Sequence, residues 1–515
     1  MFDFYFTDVM VMNEIPMSTQ DMRILELNAE YLGVTLGMLM QNAGREVARV
    51  ITERESLPKS RVVILCGVGG NGGDGMVAAH HLHEAGANVE VYLLGHEKLI
   101  TNPDSKANWF ILKNLHEIKI GTLRSESAIK KLKAIPEADI IVDALLGFGL
   151  TTPVREPLQT AIRAINKSSA TKYAVDVPSG INSDTGKVQG VAIKADTTIT
   201  MHAPKLGMSA AEDYVGNMII AAIGIPPEAE RICGSGNLWL YNRPRKQGSR
   251  KGDFGKILIV GGSDVYSGAP ALAGMAALRS GADLVSVLAP EPVVQAIRSY
   301  SPNLMVHSLD CDVLCEESIQ VVLDAAKAND VVALGPGLGT DPATVETVQS
   351  IVLSLVAENI PFVIDADGLK AIAGSNMNLN PANSVLTPHL GELQILMDIK
   401  LEDASDIDLR IKRSIDAATR YDSVVLLKGA TDVIAIGDGT YKLNRTGVPA
   451  MTVGGTGDVL TGIVSSFLAR GHGALNAAAA GAFVSGLAGE AAFRDLGNHI
   501  TATDCLEKIP QVMRL

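Results

Sequence analysis

Between residues 61 and 201, short apolar runs alternate with stretches of helical periodicity. The runs RVVILC (61–66), NVEVYLLG (88–95), ADIIVDALLG (138–147), KYAVDVPSG (172–180) and ADTTITM (195–201) have the length and β-branched content of buried strands. Segments such as MVAAHHLHEAG (76–86) are long enough to be the helices between them. Strands separated by helix-length segments predict a parallel sheet covered on both faces. The alternation resumes with KILIVGG (256–262), DLVSVLAP (283–290), DVVALGPGLG (330–339), PFVIDADG (361–368), SVLTPH (384–389), SVVLLKGA (423–430) and DVIAIGDG (432–439). Residues 224–255 break the rhythm with Pro, Gly and a basic cluster. The pattern therefore predicts two α/β units, residues 1–228 and 246–515, joined by a linker at 229–245.

Ahead of the first strand, Ile24, Leu27, Leu32, Leu36, Leu39 and Met40 recur at helical spacing, with Gly33 and Gly37 as breaks, which predicts a helical preface over 17–52. Phe2, Phe4 and Phe6 alternate as in a half-buried strand. The start holds Asp3 and Asp8 and no early Lys or Arg, unlike a secretory signal. The Ala-rich run at 475–490 is too short and too weakly apolar to span a bilayer, so a close-packed helix is expected.

Composition narrows the partners. The 515 residues exceed the usual single-domain size of roughly 100–200, in keeping with two cores. Acidic side chains number 57 against 44 basic ones, and the net charge of −13 opposes general attraction to nucleic acid or anionic lipid. No nucleic-acid or membrane partner is expected. Cys66, Cys233, Cys311, Cys315 and Cys505 form no Cys-x-x-Cys and no zinc-like spacing, which suits reduced thiols in a cytoplasmic protein. Glycine, at 50 residues, exceeds the average of about 7%, and much of the excess falls in loops after predicted strands. In open α/β sheets those strand ends are where ligands bind.

Two groups of loops carry candidate chemistry. Gly67-Val68-Gly69-Gly70-Asn71-Gly72 follows a strand, precedes a helix and has the G-x-G-x-x-G spacing that receives a pyrophosphate. Glu90, placed near the end of the next strand, is where a ribose ligand would sit, so a dinucleotide-dependent dehydrogenase is one reading and a structural turn another. Asp74 counts against the first, because a carboxylate at the helix start repels a pyrophosphate. In the second half, Gly335-Pro336-Gly337-Leu338-Gly339, Asp365-Ala366-Asp367-Gly368, Thr387-Pro388-His389 and Lys428-Gly429-Ala430 each end a strand. Gly454-Gly455-Thr456-Gly457-Asp458 opens an apolar helix, where free N–H groups would hold an anion and Asp458 would accept a proton. That pairing suits phosphoryl transfer to a hydroxyl. No G-x-x-x-x-G-K-[ST] occurs, so no P-loop is expected. His80, His81 and His83 share one predicted helix, and a surface feature is the simpler reading than a metal site.

The string GVGGNGGDGMVAAHHL, followed by DALLGFGLTTPVREP and YAVDVPSGINSDTG, resembles the NAD(P)H-hydrate epimerase family over residues 17–228. The resemblance implies a Rossmann-like three-layer α/β/α domain. It implies a hydrate site lined by Gly70, Asn71, Gly72, Gly73, Asp74, Gly147, Phe148, Gly149, Leu150, Thr151, Thr152, Pro153 and Asp176. Asn71, Asp143 and Ser179 match positions that hold a potassium ion, and Asp176 is the expected general acid/base for inversion at C6 of the hydrated nicotinamide. Gly70 departs from the family's pattern, standing where its first Asn is usual.

The later motifs, with KGDFGKILIVGGSDVYSGAPALAGMAALRSGADLVSV and LKGATD, resemble the NAD(P)H-hydrate dehydratase family, a ribokinase-like α/β fold, over 245–515. Ala269, Gly337, His389 and Asp458 would meet the hydrate, and Lys428, Gly429, Ala430, Thr431, Asp432 and Gly457 the nucleotide. Asp432 departs from the Thr usual there. In its fused form the resemblance implies a homo-oligomeric enzyme that repairs both hydrate epimers of NADH and NADPH (NADHX and NADPHX). Its phosphoryl donor would be ADP, with magnesium on the donor and Asp458 as base. A ribokinase-like vitamin or sugar kinase with a non-catalytic N-terminal domain is the alternative reading.

Overall fold

The computed structural model describes residues 14–242, 244–400 and 405–514, so the expected strand at Phe2, Phe4 and Phe6 lies outside the described residues. The chain divides into two compact units, Met1–Ala229 and Glu230–Leu515. The helical preface is two helices, Thr19–Tyr31 and Leu36–Arg54, capped by the Ser18 and Thr35 side chains. Of the stretch expected as a linker, residues 230–241 pack into the second unit. Ile232, Cys233, Leu238, Leu240 and Tyr241 are buried there, the Cys233 N–H donates to Leu443 O at 2.9 Å, and Tyr241 stacks on Phe467.

The first sheet comprises β1 (Arg61–Cys66), β2 (Asn88–Leu94), β3 (Lys119–Leu123), β4 (Ile140–Ala144), β5 (Thr171–Val175), β6 (Thr197–Met201) and β7 (Asn217–Ala221). The order is β3-β2-β1-β4-β5-β6-β7, and every pair is parallel. In β1, Val62, Ile64 and Cys66 enter one apolar cluster while Val63 and Leu65 enter another. Alternate residues of a strand face opposite sides, so both faces of the sheet are covered, as three layers require. The order reverses between β1 and β4, which opens a crevice at their carboxyl ends.

The second sheet runs β8 (Lys256–Val260), β9 (Leu284–Ala289), β10 (Met305–Ser308), β11 (Val331–Leu334), β12 (Phe362–Ile364), β13 (Ser384–Leu386), β14 (Val424–Leu427), β15 (Asp432–Ala435) and β16 (Tyr441–Asn444). Its order is β10-β9-β8-β11-β12-β13-β14-β15-β16, reversing between β8 and β11. The last three strands pair antiparallel, a departure from the parallel sheet expected. The connection over 428–431 is too short for a crossover helix, so β15 must turn back beside β14. The Ala-rich run is the buried helix Ala474–Leu496, and among the described residues no helix is long and apolar enough to cross a membrane.

Candidate active sites

In the first unit, the chain leaves β1 through Gly67–Gly69 into the helix Gly70–Glu84. The turn is packed backbone on backbone: a Cβ on Gly67 would stand 1.9 Å from Leu145 O, and one on Gly72 1.9 Å from Gly67 O. Gly72→Ala therefore has to open the turn. We expect it to cost about 1–3 kcal/mol, read by thermal unfolding.

Beside this turn lies a cavity of about 620 Å³ lined by Gly69, Gly70, Asn71, Asp74, Gly147, Phe148, Asp176, Lys205 and Glu26 among others. Of the residues expected at the hydrate, Gly72 and Gly73 are buried in the helix start. Gly149, Leu150, Thr151, Thr152 and Pro153 continue past the cavity, mostly exposed, and do not form its wall.

Asp176 follows β5 with φ +65°, a left-handed conformation that turns the chain at the strand end. Its Oδ1 accepts from the Met201 N–H at 3.1 Å and pairs with Lys205 Nζ. The Lys205 side chain is 0% exposed, and its remaining donors reach Met201 O at 2.8 Å, Thr200 Oγ1 at 3.1 Å and Ala203 O at 3.2 Å. Two further acids face the same cavity. Burial, then the charges of Asp176 and Glu26, hold Asp74 well above the ordinary carboxylate range, although Lys205 pulls the other way. Burial also raises Glu26, against its bond from Arg23. The repulsion expected of Asp74 towards a phosphate is thus reduced, because its neutral form is favoured. One cavity holds a carboxylate paired with lysine and a carboxylic acid able to donate.

Asp143, in β4, is fully buried and lacks a cationic side-chain partner among the described residues. Its oxygens accept from Ser179 Oγ at 2.6 Å, Ser179 N–H at 2.8 Å and Leu145 N–H at 3.2 Å, and burial pushes its carboxyl up to about 6. The amide nitrogen position of Asn71 is buried without a partner. Since the two ends of such an amide are interchangeable in assignment, an oxygen free to ligate stands there equally well. Hard oxygen donors and an uncompensated buried negative charge fit a monovalent cation.

Glu90 is not where a ribose ligand would be. It is the third residue of β2, towards the end opposite the glycine turn. Its oxygens already accept from Arg61 Nε at 2.9 Å, Lys119 Nζ at 2.7 Å and Tyr92 OH at 2.5 Å. The dehydrogenase reading loses its second element.

In the second unit, a cavity of about 650 Å³ is lined by His389, Lys428, Gly429, Ala430, Asp432 and Gly457, together with Thr446–Met451 residues and Gly486. Gly457 and Asp458 lie in the first turn of the helix Thr456–Leu468, whose cap Gly455 has φ +93°. A Cβ on Gly457 would stand 3.3 Å from Lys428 Nζ, so lysine and helix start flank the same space. Lys428 Nζ donates to Asp365 Oδ1 at 2.9 Å, and Glu392 lies 3.8 Å away. Burial lowers the lysine, but these two acids outweigh it and hold its pKa above the ordinary range. Asp365 is 2% exposed and is fixed further by Thr387 Oγ1 at 2.9 Å and Thr461 Oγ1 at 2.7 Å. Burial and the neighbouring Asp365 push Asp458 up to about 7, against the pull of Lys428. A carboxyl titrating near neutrality beside a helix start is suited to general base work.

Gly337 and Ala269 meet each other: a Cβ on Gly337 would be 3.3 Å from that of Ala269 and 2.8 Å from Tyr266 Cβ. Neither lines this cavity, and Thr431 does not either. His389 caps the helix Leu390–Met397, its Nδ1 accepting from Gly391 N–H at 3.0 Å, while its side chain stays 59% exposed at the cavity. Asp432 accepts from Gly429 N–H and Asn444 Nδ2, both at 2.9 Å, so here it stiffens the Lys428–Thr431 turn. Lys205, Glu26 and Glu392 were missed by sequence reasoning, and Asp365 was noted without a role. Only Asp365, ending an apolar strand, carried a local signal.

One cavity at the reversal point of the first sheet and one at the β13–β16 side of the second, each with a lysine-paired carboxylate and a raised carboxyl group in or beside it, define a two-site nucleotide-handling enzyme. A family model described as YjeF-related protein N-terminus matches residues 36–207, and one described as NAD(P)H-hydrate dehydratase matches 257–511. The chain is 41% identical over 510 residues to the bifunctional NAD(P)H-hydrate repair enzyme of Methanothermobacter thermautotrophicus, covering 98% of this chain and 96% of that one. To the enzyme of the same name from Pyrobaculum aerophilum it is 42% identical over 501 residues, 96% and 97% of the two chains. Among solved structures, the ADP/ATP-dependent NAD(P)H-hydrate dehydratase of Bacillus subtilis, co-crystallized with ATP and Mg²⁺, covers 55% of this chain and 98% of its own. Its identity is 27% and its TM-score 0.46. The chain belongs to the family of bifunctional NAD(P)H-hydrate repair enzymes.

Proposed function

We propose that the first unit interconverts the R and S forms of NADHX and NADPHX, and that the second dehydrates the S form with ADP, releasing AMP and phosphate. The observation that carries this reading is an acid-lined cavity beside the first glycine turn together with the Lys428, Asp365 and Asp458 cluster in the second unit, alongside similarity to repair enzymes along nearly its whole length. It disfavours a small-molecule kinase with an inert N-terminal domain, which would have no use for the buried Asp176–Lys205 pair.

At the first site, Asp74 donates a proton to the departing C6 hydroxyl. Asp176, paired with Lys205, takes the proton from water as it adds to the opposite face of the ring. Asn71, Asp143 and Ser179 would hold potassium, which supplies positive charge near the phosphate-rich substrate.

At the second site the obstacle is the leaving group: hydroxide departs badly from C6 and phosphate departs well. Asp458 accepts the proton of the hydroxyl as its oxygen attacks the terminal phosphorus of ADP. The Gly457 turn and Lys428 stabilise the charge on the moving phosphoryl group. Loss of phosphate, assisted by the ring nitrogen, leaves a cationic C6, and loss of the C5 proton to the departing phosphate then regenerates the dihydronicotinamide. Magnesium would ride on the nucleotide oxygens, since among the described residues no cluster of three His, Cys, Asp or Glu side chains is placed to hold a metal. Homo-oligomerisation and a cytoplasmic location complete the proposal.

Asp458 must be ionised to act as base, so the dehydration rate should rise with pH and level off above about 7. Asp365→Asn removes a negative neighbour and should move that rise to lower pH while lowering the plateau, because Lys428 loses its anchor. A kcat profile against pH reads both effects; an unmoved rise would contradict the assignment of Asp458.

A further inference from the structure

The loop between β10 and the helix Ser318–Lys327 carries two thiols that neither reaction uses. Cys311 Sγ lies 3.3 Å from the Ser318 hydroxyl and Cys315 Sγ lies 3.7 Å from the same oxygen, so the two thiols share one partner. Both are half-buried, whereas Cys66, Cys233 and Cys505 are buried. The loop around the pair is held at several points. Glu291 N–H donates to Cys311 O at 2.9 Å, Thr344 Oγ1 donates to Leu314 O at 3.0 Å, and Cys315 N–H donates to Ser318 Oγ at 3.4 Å. Cys311 also packs on the apolar cluster that contains Leu309, Leu314 and Leu338, and Leu338 sits between Gly337 and Gly339 in the turn expected at the hydrate.

We propose that Cys311 and Cys315 are an oxidant-sensitive dithiol that closes to an intramolecular disulfide under hydrogen peroxide. Two sulfurs that meet the same hydroxyl oxygen, four residues apart on a pinned loop, are brought to bonding distance by side-chain rotation. The order of events follows from the surroundings. Burial pushes the Cys311 thiol up, which suits it to the second, resolving step. Cys315 is then the first sulfur to react, and its proton goes to the oxygen that departs. The Cys315 sulfur attacks one peroxide oxygen, the O–O bond breaks, and the departing hydroxide is protonated to water, leaving a sulfenic acid. The Cys311 sulfur then attacks the Cys315 sulfur, the S–O bond breaks, and the hydroxide leaves with the Cys311 proton as a second water. The two thiols lose two electrons in total, and peroxide gains them.

The experiment treats the full-length protein with stoichiometric hydrogen peroxide, alkylates the remaining thiols and maps the digested peptides by mass. The expected result is loss of two alkylatable thiols out of five, confined to one peptide that has lost two hydrogen atoms and recovers them with dithiothreitol. In Cys311→Ser the reaction should stop at a dimedone-reactive sulfenic acid on Cys315, with no cross-link. Five alkylatable thiols after treatment would overturn the proposal. So would cross-linking between chains, or separate over-oxidation of the two cysteines in the unsubstituted protein.

Discussion

Asp458→Asn should reduce dehydration by roughly a hundred- to ten-thousand-fold, the range general base removal spans, and leave epimerisation untouched. The amide keeps the shape of the side chain but cannot accept the hydroxyl proton. Lys428 and the Gly457 turn remain, so KM for ADP should change little. Stability should not fall. Asp458 is held among Asp365, Glu392 and Asp367, and the ionised form is the unfavourable one there, as its rise to about 7 shows. A neutral side chain relieves that repulsion, an instance of function maintained against local stability. Initial rates of both reactions and a thermal unfolding curve check all three expectations. A variant inactive because it is unfolded would show itself in the third.

The Asp176 pair should behave in the opposite way. Asp176→Asn removes the acid/base proposed for the first site, but it also strands Lys205, whose side chain is 0% exposed. Breaking a buried ion pair from one side costs about 3–5 kcal/mol, because an uncompensated charge is left inside. The acceptors Met201 O, Thr200 Oγ1 and Ala203 O soften this, so we expect about 3 kcal/mol. Epimerisation should be lost. The double variant Asp176→Asn, Lys205→Met removes the stranded charge and should recover most of the stability without recovering activity. Calorimetry of the full chain with each variant, beside the epimerisation rate, separates the catalytic role from the structural one. Recovery of epimerisation in the double variant would show that Asp176 only holds the fold.

How far these sites were legible varies with the physics behind each feature. The twelve strands expected from apolar runs are present, and the four that were not expected, β3, β7, β10 and β16, are the outer strands of the two sheets. An outer strand buries fewer of its side chains, as the exposed and half-exposed positions of Asn217–Ala221 illustrate, so it lacks the continuous apolar run that marks a central one. The antiparallel turn at β14–β15 was hidden for another reason: pairing direction depends on connection length, and the glycine motif over 428–430 was read as chemistry alone.

Glycine turns and strand-end acids were legible because their backbone demands fix residue type. Lys205 was not, because nothing in HAPKLG shows that a lysine four residues beyond β6 folds back to Asp176. Long-range ion pairs leave no period in a sequence. Glu90 shows the converse error, since the spacing that suited a ribose ligand placed it at the wrong end of the strand.

The most direct measurement mixes R and S hydrates with ADP and follows the dihydronicotinamide absorbance under the full-length protein. The account predicts complete recovery, with AMP and free phosphate formed in step with it. It also predicts that the Asp176→Asn, Lys205→Met variant recovers the S fraction quickly and then slows to the uncatalysed rate of epimerisation. A plateau at the S fraction with the unsubstituted protein would contradict the account, as would accumulation of a stable phosphorylated product in place of free phosphate.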